Sequence, residues 1–337
     1  MTEKLAEVIR NGLIESIHLG SIAVVNSEGK LVNYLGDPGQ ICYFRSSGKP
    51  LILLSHLRKK INEHFDLTLQ ELAIMASSHS GGSKHLETLL TIAGKLNVKE
   101  SDITCGIREP YGFNEKLELY DSGKRPTQWH NNCSGKHLGI IAACKAMGCS
   151  TENYSDFNHP VQQDILETIS EFCSYPKDKI HVGVDGCGVP VFGVPLKNMA
   201  LAYARIFDTG FLNGKYKNEQ QLLYDAVINH PDMVAGDGRL DTELNRATSG
   251  DHFGKMGADG VFCVHIHSER LGISVKVQDG GVRAVAPVVM ETLRQLGTLT
   301  SEVLEKLRRF HYPPIHTWRG ERVGFINPVI KLKTNVT

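Results

Sequence analysis

The chain has 337 residues, 41% apolar and 22% charged, with Lys plus Arg equal to Asp plus Glu at 37 each. That length can bury a large core without disulfide staples. The balanced charge argues against non-specific nucleic-acid binding, which depends on phosphate neutralisation. No apolar run approaches the ~20 residues a membrane span requires.

The opening MTEKLAEVIRNG is polar and lacks an apolar signal-peptide core, so a cytoplasmic location is expected. Residues 19–36 (LGSIAVVNSEGKLVNYLG) read as two strands around an Asn-Ser-Glu-Gly turn. Residues 47–62 carry apolar positions at Leu51, Leu54, Leu57 and Ile61, which predicts a helix. Helices are also expected at 69–78 and 84–96, with the polar turn SSHSGG (77–82) between them. The Gly-, Pro- and Tyr-rich stretch after 105 reads as irregular. Helices follow at 136–147 and 160–173. Residues 180–198 look like short strands broken by glycine and proline, and helices return at 198–207 and 218–229. Residues 260–285 alternate as two or three antiparallel strands, with a turn at Asp279-Gly280-Gly281. A helix at 287–297 and a strand in VGFINPVIKL complete the chain.

This order lacks regular βαβ alternation, a Gly-x-Gly-x-x-Gly motif and a phosphate loop. It predicts an α+β or mixed α/β architecture, with an antiparallel-rich sheet built from both ends of the chain and flanked by helices. The whole span 1–337 reads as one large domain with a helical subregion at about 47–175. The eight cysteines include no Cys-x-x-Cys, so the common zinc and redox spacings are missing. Cys144 and Cys263, in apolar runs, read as core.

Ser-x-x-Lys occurs at Ser27–Lys30, Ser46–Lys49 and Ser174–Lys177. The first lies on the hairpin turn, and the last contains Pro176 in a loop after a helix. Only Ser46–Lys49 opens an apolar helix after an extended segment. There a helix N-terminus would supply free N–H groups. A buried lysine could act as a neutral base to a serine. On spacing alone, a serine helix cap is the commoner meaning. SSHSGG is equally compatible with a polar helix end. WHNNCSGKH (129–137) crowds reactive side chains before an apolar helix, which suits a functional loop. VDGCGVP (184–190) sets an acid and a thiol in a Gly/Pro frame, and KMGADG (255–260) carries a turn lysine.

Together FRSSGKP, SSHSGG, HNNCSGKH, VDGCGVPVFGVPL and KMGADGV resemble the Rhizobium-type, thermolabile Ser-Lys L-asparaginases of the asparaginase II family. The resemblance runs from about residue 14 to about 330. It implies a fold related to serine β-lactamases and serine glutaminases, a homodimer, and hydrolysis of L-asparagine to L-aspartate and ammonia. It implies two Ser-Lys pairs, Ser46 with Lys49 and Ser78 with Lys255. It also implies a zinc site at Cys133, Lys136 and Cys187, with Asp185 nearby, structural or substrate-orienting in role.

Arg45 is then a candidate for the substrate α-carboxylate and Asp185 for the α-ammonium or the metal shell. His79 and His137 are further pocket candidates. The chain departs from the resembled pattern at Gly48, where alanine is common, and at Gly82-Ser83, where a Glu-Pro pair is common. The rival expectations are a glutaminase or other small-amide hydrolase on the same residues, or an inactive zinc- or amino-acid-binding protein.

Overall fold

The computed structural model describes residues 1–335; positions 336–337, the end of the expected single span, lie outside the described residues. The chain divides into two compact units. One comprises residues 1–47, 194–205 and 243–337, and the other comprises residues 48–193 and 206–242.

The first unit is built on a nine-stranded sheet. Its main path runs Pro314–His316, Arg322–Pro328, Glu3–Arg10, Leu13–Asn26, Leu271–Val277, Val261–Ile266 and His252–Met256. Leu31–Leu35 pairs with Leu13–Asn26 and with the two-residue strand Lys333–Thr334. The strand pairs are antiparallel, with registers such as Ala23↔Ser274 and Val8↔Ile326. Both chain ends contribute, as the sequence pattern predicts. Helices Leu196–Arg205 and Val282–Leu296 pack on the sheet. The first comes so close that a Cβ on Gly272 would sit 1.9 Å from the Ala200 carbonyl oxygen, so only glycine fits that strand position.

The second unit is mainly helical: Lys49–Leu57, Leu69–Met75, Ser83–Leu96 and Pro160–Cys173 pack on Ser134–Met147, and Phe113–Asp121 and Lys217–Asn229 complete the set. That central helix is buried without a break from Ser134 to Cys144. Its sequence, SGKHLGIIAACKAM, has apolar or small residues on every side, as an internal helix must. The hairpin of His181–Val184 and Pro190–Pro195 adds a small strand pair with register Val182↔Phe192.

Several local expectations are corrected. The helix expected at 47–62 is interrupted: a 3-10 turn at Arg45–Gly48 leads into Lys49–Leu57, and Lys60 in the left-handed region (φ 54°) separates a last short turn. The stretch after 105 is not wholly irregular, because Phe113–Asp121 is helical. Residues 282–285, expected as strand, begin the helix Val282–Leu296, which Gly281 caps in extended conformation. Strands Glu3–Arg10 and His252–Met256 carry weak alternation and form because neighbours pair with them. Cys144 and Cys263 are core as expected. Among the described residues, no helix is long and apolar enough to cross a membrane.

Candidate active site

In the helical unit, Lys49 begins its helix directly after Gly48, and Pro50 occupies the first turn, where a missing N–H costs nothing. Its side chain points inward and is 1% exposed. Lys49 Nζ lies 2.5 Å from the Ser77 carbonyl, 2.9 Å from the Asn132 carbonyl and 3.1 Å from Ser78 Oγ. Burial lowers its pKa below the ordinary lysine value, and the neighbouring Lys136 adds to that, against an opposing pull from Cys133. The segment 77–82 has no regular secondary structure, so Ser78 leaves the end of Leu69–Met75 and is pinned by its N–H to the Val234 carbonyl at 2.9 Å. Arg239 Nη1 donates to the Ser78 carbonyl.

Three buried histidines pack behind these groups. His79 is fully buried, with Nε2 2.9 Å from Ser134 Oγ. Ser134 donates to the Trp129 carbonyl, so His79 Nε2 carries the proton toward Ser134. Burial, then His85, then Lys49 hold the His79 pKa well below its usual value, so the ring is neutral. His137 Nδ1 lies 2.7 Å from the Tyr154 hydroxyl, and burial pulls it down to about 3. His85 stacks on His79 with ring centroids 5.4 Å apart.

The central helix also presents the thiol cluster. Gly135 lets it approach Leu69–Met75, since a Cβ there would lie 2.2 Å from the Ile74 carbonyl oxygen. One turn of chain then serves two purposes: the Asn132 carbonyl meets Lys49, and the next side chain, Cys133, faces Asp185 and Cys187. Asn131 shapes that turn through its Oδ1, which accepts from the Cys133 N–H at 3.0 Å. One donor atom from each of Cys133, Asp185 and Cys187 lies within 4.8 Å of the others. Lys136 Nζ is 3.0 Å from Cys187 Sγ and 3.5 Å from Asp185 Oδ2.

The Cys133 thiol donates to Cys187, which with Lys136 outweighs burial and pulls the Cys187 thiol down to about 5. Cys133 is correspondingly pushed up to about 12 by that hydrogen bond and by burial. Burial alone would lower Lys136, but the Cys187 and Cys133 thiols and Asp185 overcome it and hold the ammonium charged. Two thiols, an amine and a carboxylate at this spacing fit a soft divalent cation such as zinc, once Lys136 gives up its proton.

In the sheet unit, Arg45 has φ 50° and its guanidinium pairs with Asp259. The following turn carries half-buried Ser46 and is anchored on both sides. Ser47 N–H donates to the Phe44 carbonyl at 3.1 Å, and the Tyr203 hydroxyl donates to the Ser47 carbonyl at 2.6 Å. Lys255, in strand His252–Met256, is fully buried, with Nζ 3.0 Å from the Met256 carbonyl.

Sequence reasoning does not anticipate Lys49 beside Ser78, nor Arg239 and Tyr111. Arg239 stacks over the Tyr111 ring at 4.5 Å in a cleft of about 560 Å³, also lined by Ser80, His85, Glu115 and Asp232. No spacing signal links Arg239 to Ser78, because the two are 161 residues apart.

No curated protein matches the chain. Among solved structures it is similar to a β-lactamase from Mycobacterium bovis, at 13% identity and TM-score 0.43, over 83% of this chain and 95% of that one. It is similar to a class C β-lactamase in complex with cefoxitin, at 14% identity and TM-score 0.42, over 83% and 93%. It is also similar to an octameric penicillin-binding protein homologue from Pyrococcus abyssi, at 13% identity and TM-score 0.39, over 87% and 76%. The profile of the L-asparaginase II family matches residues 6–328, nearly the whole chain, and the protein therefore belongs to that family of amidohydrolases.

Proposed function

We propose that the protein is an L-asparaginase that hydrolyses the side-chain amide of L-asparagine to L-aspartate and ammonia through a seryl ester. The supporting observation is the setting of Lys49. Its amine is buried, its pKa is lowered by burial, and two backbone carbonyls lie within hydrogen-bond reach. When neutral it donates to those carbonyls and keeps one lone pair to accept a serine proton, with the Ser78 hydroxyl 3.1 Å away.

Ser46 attacks the amide carbon, and its proton passes to Lys49. From the Lys49 ammonium a proton reaches the departing ammonia through the Ser78 hydroxyl. The ester bond then opens to water, whose proton returns by the same route to Ser46. Backbone N–H groups near Ser46 would hold the oxyanion. Lys255 keeps the role the sequence resemblance assigns it, as the second lysine acting with Ser78.

Cys133, Lys136 and Cys187, with Asp185 beside them, would hold zinc, which when bound would fix the 131–134 turn and orient substrate. Arg45 and Asp185 remain the groups proposed for the substrate α-carboxylate and α-ammonium. The homodimer belongs to the same reading. Exposed Ile14, Ile17 and Leu19 lie on one strand, an apolar patch that suits a partner surface. Light scattering on the purified protein checks it.

The test is ammonia release from asparagine and from glutamine by the wild type, Ser46→Ala and Lys49→Met, with mass-spectrometric location of a trapped acyl group. Near-full turnover in either variant overturns the mechanism. Faster glutamine than asparagine hydrolysis overturns the substrate.

A further inference from the structure

The central helix carries a second pair of cysteines at its opposite end. Ser134–Met147 closes on Gly148 in the left-handed region, with the Cys149 N–H donating to the Cys144 carbonyl at 3.0 Å. This is the Schellman arrangement, which brings together the side chains three positions inside the helix end and two beyond it. Those positions ordinarily hold an apolar pair; here they hold Cys144 and Cys149. The loop 150–158 then returns His159 to the same place. One donor atom from each of Cys144, Cys149 and His159 lies within 4.8 Å of the others. Cys144 is buried, while Cys149 and His159 are half-buried, so the cluster can be reached from solvent. The helix rise puts it ~16 Å from Cys133, clear of the Cys133–Lys136–Cys187 cluster.

We propose that Cys144, Cys149 and His159 form a cation site of their own, for a soft divalent metal of the zinc and cadmium class. Two thiolates and an imidazole are the donors such ions select. Binding displaces the two thiol protons to solvent, and the carboxyl end of a helix favours a cation. The remaining position in a four-coordinate shell would be left to water. His159 Nε2 now lies 3.0 Å from the Ser150 carbonyl and Nδ1 accepts from the Val161 N–H at 3.3 Å. Ligation by either nitrogen gives up one of those contacts, so the thiolates carry most of the affinity. Lys145, the nearest cation in sequence, is tied to the Leu96 carbonyl at 2.6 Å.

Cadmium binding to the reduced, metal-free full-length protein, followed by equilibrium dialysis and metal analysis, tests this. Cys149→Ser is expected to bind one equivalent less than the wild type, with a smaller sulfur-to-cadmium charge-transfer band. His159→Asn, which retains a side chain able to cap the Val161 N–H, is expected to hold the ion more weakly. Equal cadmium content in wild type and Cys149→Ser overturns the site. Should Cys149→Ser not fold, alkylation of Cys149 in the wild type serves instead: zinc slows it if the site exists, and an unchanged rate overturns it.

Discussion

Lys49 Nζ lies 3.1 Å from Ser78 Oγ, yet the two are 29 residues apart and belong to different elements. The contact exists because Leu69–Met75 ends early and the irregular segment after it brings Ser77 and Ser78 to the first turn of Lys49–Leu57. Burial of a lysine in that position disfavours its charged form.

Lys49→Met is expected to lower ammonia release from asparagine by about 10²–10⁴-fold, the usual worth of a positioned base. Lys49→Arg should not restore it, since guanidinium stays protonated. In the wild type, turnover should fall as acid protonates Lys49. Met also leaves the Ser77 and Asn132 carbonyls without their donor. A stability loss of about 1–3 kcal/mol per unsatisfied group should therefore appear in denaturant titration.

The metal reading makes a separate prediction. Cys187 is the thiol pulled down to about 5, by Cys133 and then Lys136, so it is the thiolate at neutral pH. Cys187→Ala should remove one zinc equivalent from the purified protein, read by metal analysis. Dialysis against a strong chelator should strip zinc from the wild type and lower its melting temperature. Retention of the full zinc content by Cys187→Ala would contradict the assignment.

Acid sensitivity has a local source in the sheet unit. Glu291 is buried, which would raise its pKa, but Arg294, His311 and Gln295 bond to it and hold it at about 2 rather than 4.5. The unfolded chain therefore binds more protons than the folded one between those values. Stability from this carboxylate is full above about 4.5 and is lost as pH falls toward 2. Glu291→Gln should lower the melting temperature at neutral pH, and the gap to wild type should close as the pH approaches 2.

Gly135→Ala tests the helix approach. Its Cβ would fall 2.2 Å from the Ile74 carbonyl oxygen, so the helices must separate. A cost of about 1–3 kcal/mol is expected in denaturant titration. The shift would move Ser134 and Lys136 together, so turnover should fall with stability.

Local pattern determined much of the secondary structure. The hairpin at 19–36, the helix at 160–173 and the strand pair within 180–198 appear where periodicity and turn residues put them. These elements are legible because each carries its own turn, cap or alternating face. The family resemblance was likewise legible from the five short blocks. The helix at 113–121 has mostly exposed side chains and no clear apolar stripe. Residues 282–285 alternate as a strand would, but the sheet is already paired there and Gly281 starts a helix. The tertiary structure alone decided that Lys49 meets Ser78, that Asn132 and Cys133 serve two neighbouring clusters, and that Arg239 reaches the Ser78 carbonyl. Those contacts span 29, 83 and 161 residues. Burial, which lowers the Lys49 pKa, and the Cys133 and Lys136 contacts that lower Cys187 are properties of packed neighbours and have no local spelling.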